Sequence, residues 1–282
     1  MNPISSSLSG QHLQAVVFDW AGTIVDFGSR APMAAFVELF ERYGVAISIA
    51  EARVPMGLAK WDHIHALGNA PRIAAAWQQQ HGRPFSDADC DHLYEVFTPM
   101  NTASVRHHAE LIDGALDCVQ ALRAQGLKIG STTGYNRPIM DELVPLAAAQ
   151  GYAPDNLVCA GDMVSARPGP LMMVRTLSDL QVWPPCSVIK VDDTVPGLQE
   201  GEALGCWTVG LAVTGNALGL SKPEWQALAP ARQQALREQA TASLRGGGAH
   251  YVIDGVADLL PVVQDIRARL ARGERPAPAP AQ

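Results

Sequence analysis

The run Phe18-Asp19-Trp20-Ala21-Gly22-Thr23 contains the first side chain placed to act on a ligand. Asp19 follows Ala15-Val16-Val17-Phe18, an apolar run short and branched enough to be a strand buried on both faces. A carboxylate at the carboxyl end of such a strand faces the crevice where parallel sheets bind ligands. There it is well placed to act on a ligand, though such an Asp also commonly caps the next turn. Three later segments repeat the placement. Thr133-Gly134-Tyr135 follows the strand at Lys128 to Thr132, and puts a hydroxyl and bare N–H groups before a helix, an arrangement that binds phosphate. Ala166-Arg167-Pro168-Gly169 sets one cation in a loop before another helix, and Ser187 to Val191 ends in Asp192-Asp193-Thr194. Taken singly, each reads as well as a cap, a surface arginine or a turn. Their common placement at strand ends of one sheet is what points to a site.

A second cluster lies in Pro55-Met56-Gly57-Leu58-Ala59-Lys60-Trp61-Asp62-His63. Met56, Lys60 and His63 stand at i, i+4 and i+7, so a helix here would carry all three on one face. A lysine on a face shared with Met is partly desolvated. That lowers its pKa and opens Schiff-base chemistry, whereas a solvated surface lysine would have neither property.

The elements that must position these groups follow from the apolar pattern. Strands are expected at Ala15 to Phe18, Leu127 to Thr132, Leu157 to Cys159, Ser187 to Val191, Trp207 to Val213 and Tyr251 to Ile253. Helical stripes lie between most of them: Ala115, Cys118, Val119 and Leu122 form one, and Val256, Leu259, Leu260 and Val263, continuing to Leu270, form another. Strands alternating with helices predict an α/β fold, a Rossmann-like, doubly wound parallel sheet. One interval breaks the alternation. Residues 27–105 show only helical patterns, at Met33, Phe36, Val37 and Phe40, at Ile73 to Gln80 and at Asp87 to Phe97. A helical insert after the first strand would sit over the strand ends as a cap domain. The expected division is a core of residues 1–26 and 106–271, a cap of 27–105, and a Pro/Ala-rich disordered tail at 272–282.

Composition excludes several function classes. The 282 residues are 48% hydrophobic and 17% charged, too apolar for a disordered chain. Lys+Arg 21 against Asp+Glu 28 gives a net charge of -7, which offers no counterion-release energy on nucleic acid. No apolar stretch approaches the ~18 residues of a membrane span, and the first ten residues do not read as a signal peptide. The 5 cysteines are scattered without a C-x-x-C pair, which predicts reduced thiols and a soluble cytoplasmic protein.

The order of the four strand-end motifs resembles that of the haloacid dehalogenase-like (HAD) superfamily, and the resemblance covers essentially the whole chain. Within it, the cap run is similar to that of the phosphonoacetaldehyde hydrolase (phosphonatase) family. So are Phe-Asp-Trp-Ala-Gly-Thr, Gly-Ser-Thr-Thr-Gly-Tyr and Gly201 to Gly210 with Cys206-Trp207-Thr208-Val209. The resemblance implies hydrolysis of the P–C bond of phosphonoacetaldehyde to acetaldehyde and phosphate. It makes Asp19 the nucleophile and Lys60 the Schiff-base residue, with Mg²⁺ held by Asp19, the backbone carbonyl of Ala21, and Asp193. Thr133, Gly134 and Arg167 would bind the phosphoryl group, with Met56 and His63 supporting Lys60. It also implies a homodimer, paired through the cap, acting on a small phosphonate with no nucleic-acid or membrane partner.

Two departures qualify the resemblance. HAD phosphatases carry a second Asp two residues after the nucleophile, as general acid for an alkoxide; here that residue is Ala21. The fourth motif commonly reads Gly-Asp with a further Asp four residues on, whereas here it reads Asp192-Asp193 with Gly197 in the later place. Asp192 is thus either an alternative ligand or an acid behind the metal shell. Competing readings are a haloacid dehalogenase, which needs neither a cap lysine nor a metal, and a non-catalytic HAD-like scaffold, which would be expected to lose Asp19, Lys60 or Arg167.

Overall fold

The computed structural model describes residues 12–277; the start of the chain and the last five residues of the expected tail lie outside the described residues. Strand β1 (Ala15–Phe18) leads into five consecutive helices, α1 (Ala31–Arg42), α2 (Ile49–Arg53), α3 (Lys60–Gly68), α4 (Pro71–His81) and α5 (Asp87–Val105). Alternation then resumes with α6 (Ala115–Ala124), β2 (Lys128–Thr133), α7 (Arg137–Ala149), β3 (Val158–Cys159), α8 (Leu171–Leu180) and β4 (Val188–Asp192). It ends with α9 (Val195–Leu204), β5 (Trp207–Leu211), α10 (Lys222–Ala227), α11 (Pro230–Gly246), β6 (Tyr251–Ile253) and α12 (Leu259–Ala271).

The six strands form one sheet in the order β3-β2-β1-β4-β5-β6, with every neighbouring pair parallel. β1 is central, in register with β2 (Ala15 opposite Lys128) and β4 (Ala15 opposite Val188), and all four of its residues are buried. The alternate residues Val16 and Phe18 join the apolar layer with α6, α7 and α12, while Ala15 and Val17 pack with α8 on the other face. Burial on both sides is what made the strands unbroken apolar runs. The strand order reverses beside β1, so the crevice of this sheet opens at the carboxyl ends of β1 and β4.

The helical insert has an apolar cluster of its own, built from Phe36, Leu39, Phe40, Ile64, Trp77, Leu93, Phe97 and their neighbours. It is therefore a cap with its own core. Its helices begin where the local chemistry says they should. Ser86 accepts from Asp89 N and Asp89 reaches back to Ser86 N at 2.9 Å, a capping box that starts α5. Ser48 and Glu51 do the same for α2.

α10 and α11 had no signal in the apolar pattern. Of α11 only Ala240 and Leu244 are buried, so the helix has no stripe to read. The stripe from Val256 to Leu270 is also divided, into a 3₁₀ turn at Val256–Asp258 and then α12. Among the described residues, no helix is long and apolar enough to cross a membrane.

Candidate active site

The sheet delivers four groups to one point because three neighbouring strands end there. Asp19 directly follows β1, and its N–H donates to Val191 O of β4 at 3.0 Å. Thr133 is the last residue of β2, and its hydroxyl oxygen accepts from Tyr135 N at 3.1 Å. Asp192 closes β4, and Asp193 follows it with its carboxylate accepting from Asn216 N at 2.7 Å. Arg167 comes from the loop before α8, and its Nη1 lies 2.9 Å from Asp19 Oδ1. All five side chains are buried.

The cap covers this crevice and leaves a small pocket lined from both sides. Asp19, Ala21, Thr133, Gly134, Arg167 and Asp193 line it from the core, with Met56, Gly57 and Lys60 from the cap. The expected single helix through Met56, Lys60 and His63 is not what forms. Gly57 has φ +97° and breaks the chain between α2 and α3, so Lys60 is the first residue of α3 and Met56 lies in the preceding turn. A Cβ at position 57 would fall 2.4 Å from Thr194 Oγ1, so the left-handed turn is also what lets the cap backbone approach the core. Met56 and Lys60 still meet in the pocket. His63 does not line it: its ring stacks on Phe36 at 3.9 Å and its Nε2–H donates to Ala52 O at 2.8 Å. Burial, then the nearby Lys60 charge, hold His63 well below the usual histidine range, so it is a neutral ring behind the lysine.

Lys60 is only 4% exposed, and its Nζ lies 5.0 Å from the Tyr135 ring and 5.7 Å from the Phe36 ring. Burial brings its pKa down to about 8, with Asp19 opposing the shift. Burial also pushes Asp19 up to about 6, helped by Asp192 and opposed by Arg167. Asp193 is driven well above the carboxylate range by burial and by its acidic neighbours Asp19 and Asp192. For Asp192 burial acts the same way, but Arg167 and Lys190 outweigh it and hold the group below its ordinary value.

Oxygens of Asp19, Asp192 and Asp193 all lie within 4.8 Å of one another. Three buried carboxylates so close repel, and oxygen donors in that number suit a hard divalent cation. The residues present therefore fit such an ion.

Several site residues were not foreseen. Lys190 lies inside β4, and Glu200 on the face of α9 turned to the sheet; both are fully buried. Glu200 Oε2 accepts from Arg167 Nε at 3.0 Å and from Thr132 Oγ1 at 2.8 Å, while Lys190 Nζ donates to Thr132 Oγ1 at 2.7 Å. A lysine within a strand that otherwise reads as buried was the available signal for this network. Ser29 and Tyr135 also line the pocket. Arg53 of the cap donates to Gly28 O at 3.1 Å in the segment leading into the cap, and reaches the core at Asn216 Oδ1 at 2.9 Å and Gly219 O at 2.9 Å, contacts that no spacing rule reveals.

A capped parallel sheet with an acid after its first strand, a hydroxyl after its second and paired acids after its fourth defines a class of hydrolase. The family model described as haloacid dehalogenase-like hydrolase matches residues 13–205, and the chain belongs to that family. Among its relatives, the protein of Paraburkholderia phytofirmans named phosphonoacetaldehyde hydrolase is 54% identical over 266 residues, 94% of this chain and 100% of the relative. The one of the same name from Bordetella pertussis is 45% identical over 276 residues, 98% of this chain and 100% of the relative. A solved structure of a phosphonoacetaldehyde hydrolase-like protein from Oleispira antarctica superposes with a TM-score of 0.92 at 44% identity, covering 94% of this chain and 96% of that one. A β-phosphoglucomutase from Clostridium difficile, 16% identical with a TM-score of 0.64 over 91% of this chain and 98% of its own, shares the fold.

Proposed function

We propose that the protein hydrolyses the P–C bond of phosphonoacetaldehyde, giving acetaldehyde and phosphate. The observation that carries this reading is a buried lysine, with its pKa brought to about 8, facing a strand-end aspartate in a pocket where position 21 is alanine. A carbanion leaves phosphorus only if its charge is delocalised as it forms. Neutral Lys60 attacks the substrate aldehyde, water is lost, and an iminium results. A carboxylate oxygen of Asp19 then attacks phosphorus. The P–C bond breaks, and its electron pair flows into the iminium to give an enamine. Water releases phosphate from Asp19. The enamine takes a proton on carbon, and hydrolysis of the regenerated iminium frees acetaldehyde and Lys60.

Arg167 and Thr133, with the N–H of Gly134, orient the phosphoryl oxygens and neutralise their charge, which is most of what phosphoryl transfer requires of a protein. Mg²⁺, held by Asp19, the Ala21 carbonyl and Asp193, would supply the remaining positive charge. Met56 and the His63–Phe36 stack keep water from Lys60. Ala21 has no proton to give, which suits a leaving group that departs as an enamine rather than an alkoxide. A dehalogenase would leave the buried lysine without a task.

The same reading takes residues 27–105 as the cap and the protein as a cytoplasmic homodimer joined through it. Exposed Ile49 (55%) and Val54 (83%) on the cap surface support that pairing, and light scattering on the purified protein checks it. The deciding assay measures phosphate and acetaldehyde released from phosphonoacetaldehyde with and without Mg²⁺. Wild-type protein that releases neither with Mg²⁺ present would overturn the reading.

A further inference from the structure

Asp19 and Lys60 are both buried beneath the cap, so substrate reaches them only when cap and core part. The contacts that cross between the two therefore set how long Lys60 stays shielded. Met56, Gly57 and Lys60 belong to one segment, residues 54–60, that follows α2 and lies against the core. A Cβ built on Gly134 would fall 2.8 Å from Leu58 O, so the two backbones nearly touch. What pins the start of this segment is Arg53, the last residue of α2.

The Arg53 guanidinium sits in a cradle of neutral oxygens. Nη1 donates to Gly28 O at 3.1 Å, to Asn216 Oδ1 at 2.9 Å and to Asn216 O at 3.4 Å, while Nη2 donates to Gly219 O at 2.9 Å. The cradle is shaped for a planar fork. Gly28 N donates to Thr214 O at 2.7 Å, which ties the segment entering the cap to the loop after β5. Gly219 has φ +65°, and a Cβ there would fall 2.2 Å from Arg53 Cζ, so only glycine admits the guanidinium. The same loop supports the site, because Asn216 N donates to Asp193 Oδ2 at 2.7 Å. Asp26 and Asp193 favour the cation against its burial, but only as charges at longer range. A cation held by neutral oxygens loses less on returning to water than one in a buried ion pair. Such a contact can break and re-form at every turnover.

We infer that Arg53 is a positioning residue that latches the closed cap: its grip on the loop after β5 holds residues 54–60 on the core and keeps water from Lys60. The inference rests on the proposed reaction only in giving Lys60 a task that needs this shielding.

Arg53→Met keeps the stem and removes the fork. In the substrate-free variant with Mg²⁺ present, hydrogen exchange at the amides of residues 54–60 should quicken about tenfold or more, while Leu93 and Phe97 in α5 exchange as in wild type. Labelling of Lys60 by acetic anhydride, followed against pH by mass spectrometry, reads the lysine without turnover. Asp19, Asp193 and Arg167, the charged groups that act on Lys60, and the Tyr135 and Phe36 rings beside it are left in place by the substitution. The inflection should nonetheless move up from about 8 towards 10.5, by about one pH unit, because water readmitted to the pocket favours the ammonium. That shift cuts the neutral fraction at pH 7, and with it kcat/KM for phosphonoacetaldehyde, about tenfold. A folded variant in which either the exchange at 54–60 or the Lys60 inflection keeps its wild-type value overturns the inference.

Asn216→Ala removes one acceptor and decides the matter if Arg53→Met fails to fold. It should quicken exchange at 54–60 about twofold or more and raise the Lys60 inflection, and a protein identical to wild type in both would equally overturn the latch. The double variant Arg53→Met/Asn216→Ala should exchange no faster than Arg53→Met, since both substitutions act through one contact. Exchange and labelling need no substrate, so failure of wild-type protein on phosphonoacetaldehyde would count against the proposed reaction alone.

Discussion

The floor and the roof of the pocket each bury a lysine, in opposite company. Lys190, in the floor, is held between Thr132 at 2.7 Å, Asp192 at 3.1 Å and Glu200 at 3.4 Å. Lys60, in the roof, has aromatic rings at 5.0 and 5.7 Å and no carboxylate at ion-pair distance among the described residues. A buried ammonium surrounded by acids is part of an ionic scaffold, and removing it strands its partners. A buried ammonium with rings beside it and carboxylates only at longer range bears a desolvation that they offset in part, and it yields by losing its proton more readily. In the proposed reaction the floor would keep charges fixed around the transferring group, and the roof would make an amine nucleophilic.

The sharpest way to break this comparison is at Lys60 itself. Lys60→Arg retains the charge and cannot form an imine, so activity should fall by about 10³-fold or more while the protein folds and binds Mg²⁺. Borohydride added with substrate should leave a covalent adduct on Lys60, located by mass spectrometry. An adduct on another lysine, or activity retained in the variant, would defeat the assignment.

The floor is tested next by chelation. EDTA should abolish turnover and added Mg²⁺ restore it, and Asp193→Asn should cost far more activity than Asp192→Asn. Full activity after exhaustive chelation would favour metal-free displacement chemistry instead.

Stability then separates the two lysines directly. Lys190→Met should destabilise the fold by about 3–5 kcal/mol, because it leaves Asp192 and Glu200 buried with Arg167 alone to offset their charge. Lys60→Met should not destabilise at pH 7, and can gain up to about 3 kcal/mol by removing an uncompensated buried charge. Denaturant unfolding of both variants reads the contrast, and equal losses would erase it.

The pH dependence follows from the lysine value of about 8. The amine must be neutral to attack, so kcat/KM should rise with pH up to about 8 and then level. The stability sign is set by linkage. The folded pKa is depressed below the unfolded 10.5, so between about 8 and 10.5 the unfolded chain holds more protons. Wild-type stability from this group therefore rises with pH across that window, and the gain of Lys60→Met should shrink over the same range. A flat rate profile from pH 6 to 9 would count against the roof as described.

The smallest effect concerns Ala21. Ala21→Asp should not raise P–C cleavage, and it should introduce weak phosphate-ester hydrolysis, since a well-placed acid assists alkoxide departure by ~10²–10⁴. Efficient ester hydrolysis by the wild type would contradict the reading of alanine at that place.

By itself the sequence determined the sheet, the order of its motifs and the presence of a helical insert. Continuous apolar runs such as Ala15 to Phe18 arise only when both faces of a strand are covered, so burial leaves its mark in local composition. Asp19, Thr133 and Asp193 were legible because a strand end fixes where the next residue points, and Arg167 as the one cation in a loop before a helix. α11 was not, since a helix with two buried residues has no stripe. Tertiary structure alone decided that Gly57 breaks the cap helix and that His63 backs Lys60 instead of lining the pocket. It also decided that Glu200 and Lys190 brace Arg167 from α9 and β4, and that Arg53 joins cap to core. These contacts join residues far apart in the chain, from Arg167 to Glu200 or from Arg53 to Gly219. Their energies come from burial and charge at one point in space, and no local pattern along the chain records that meeting.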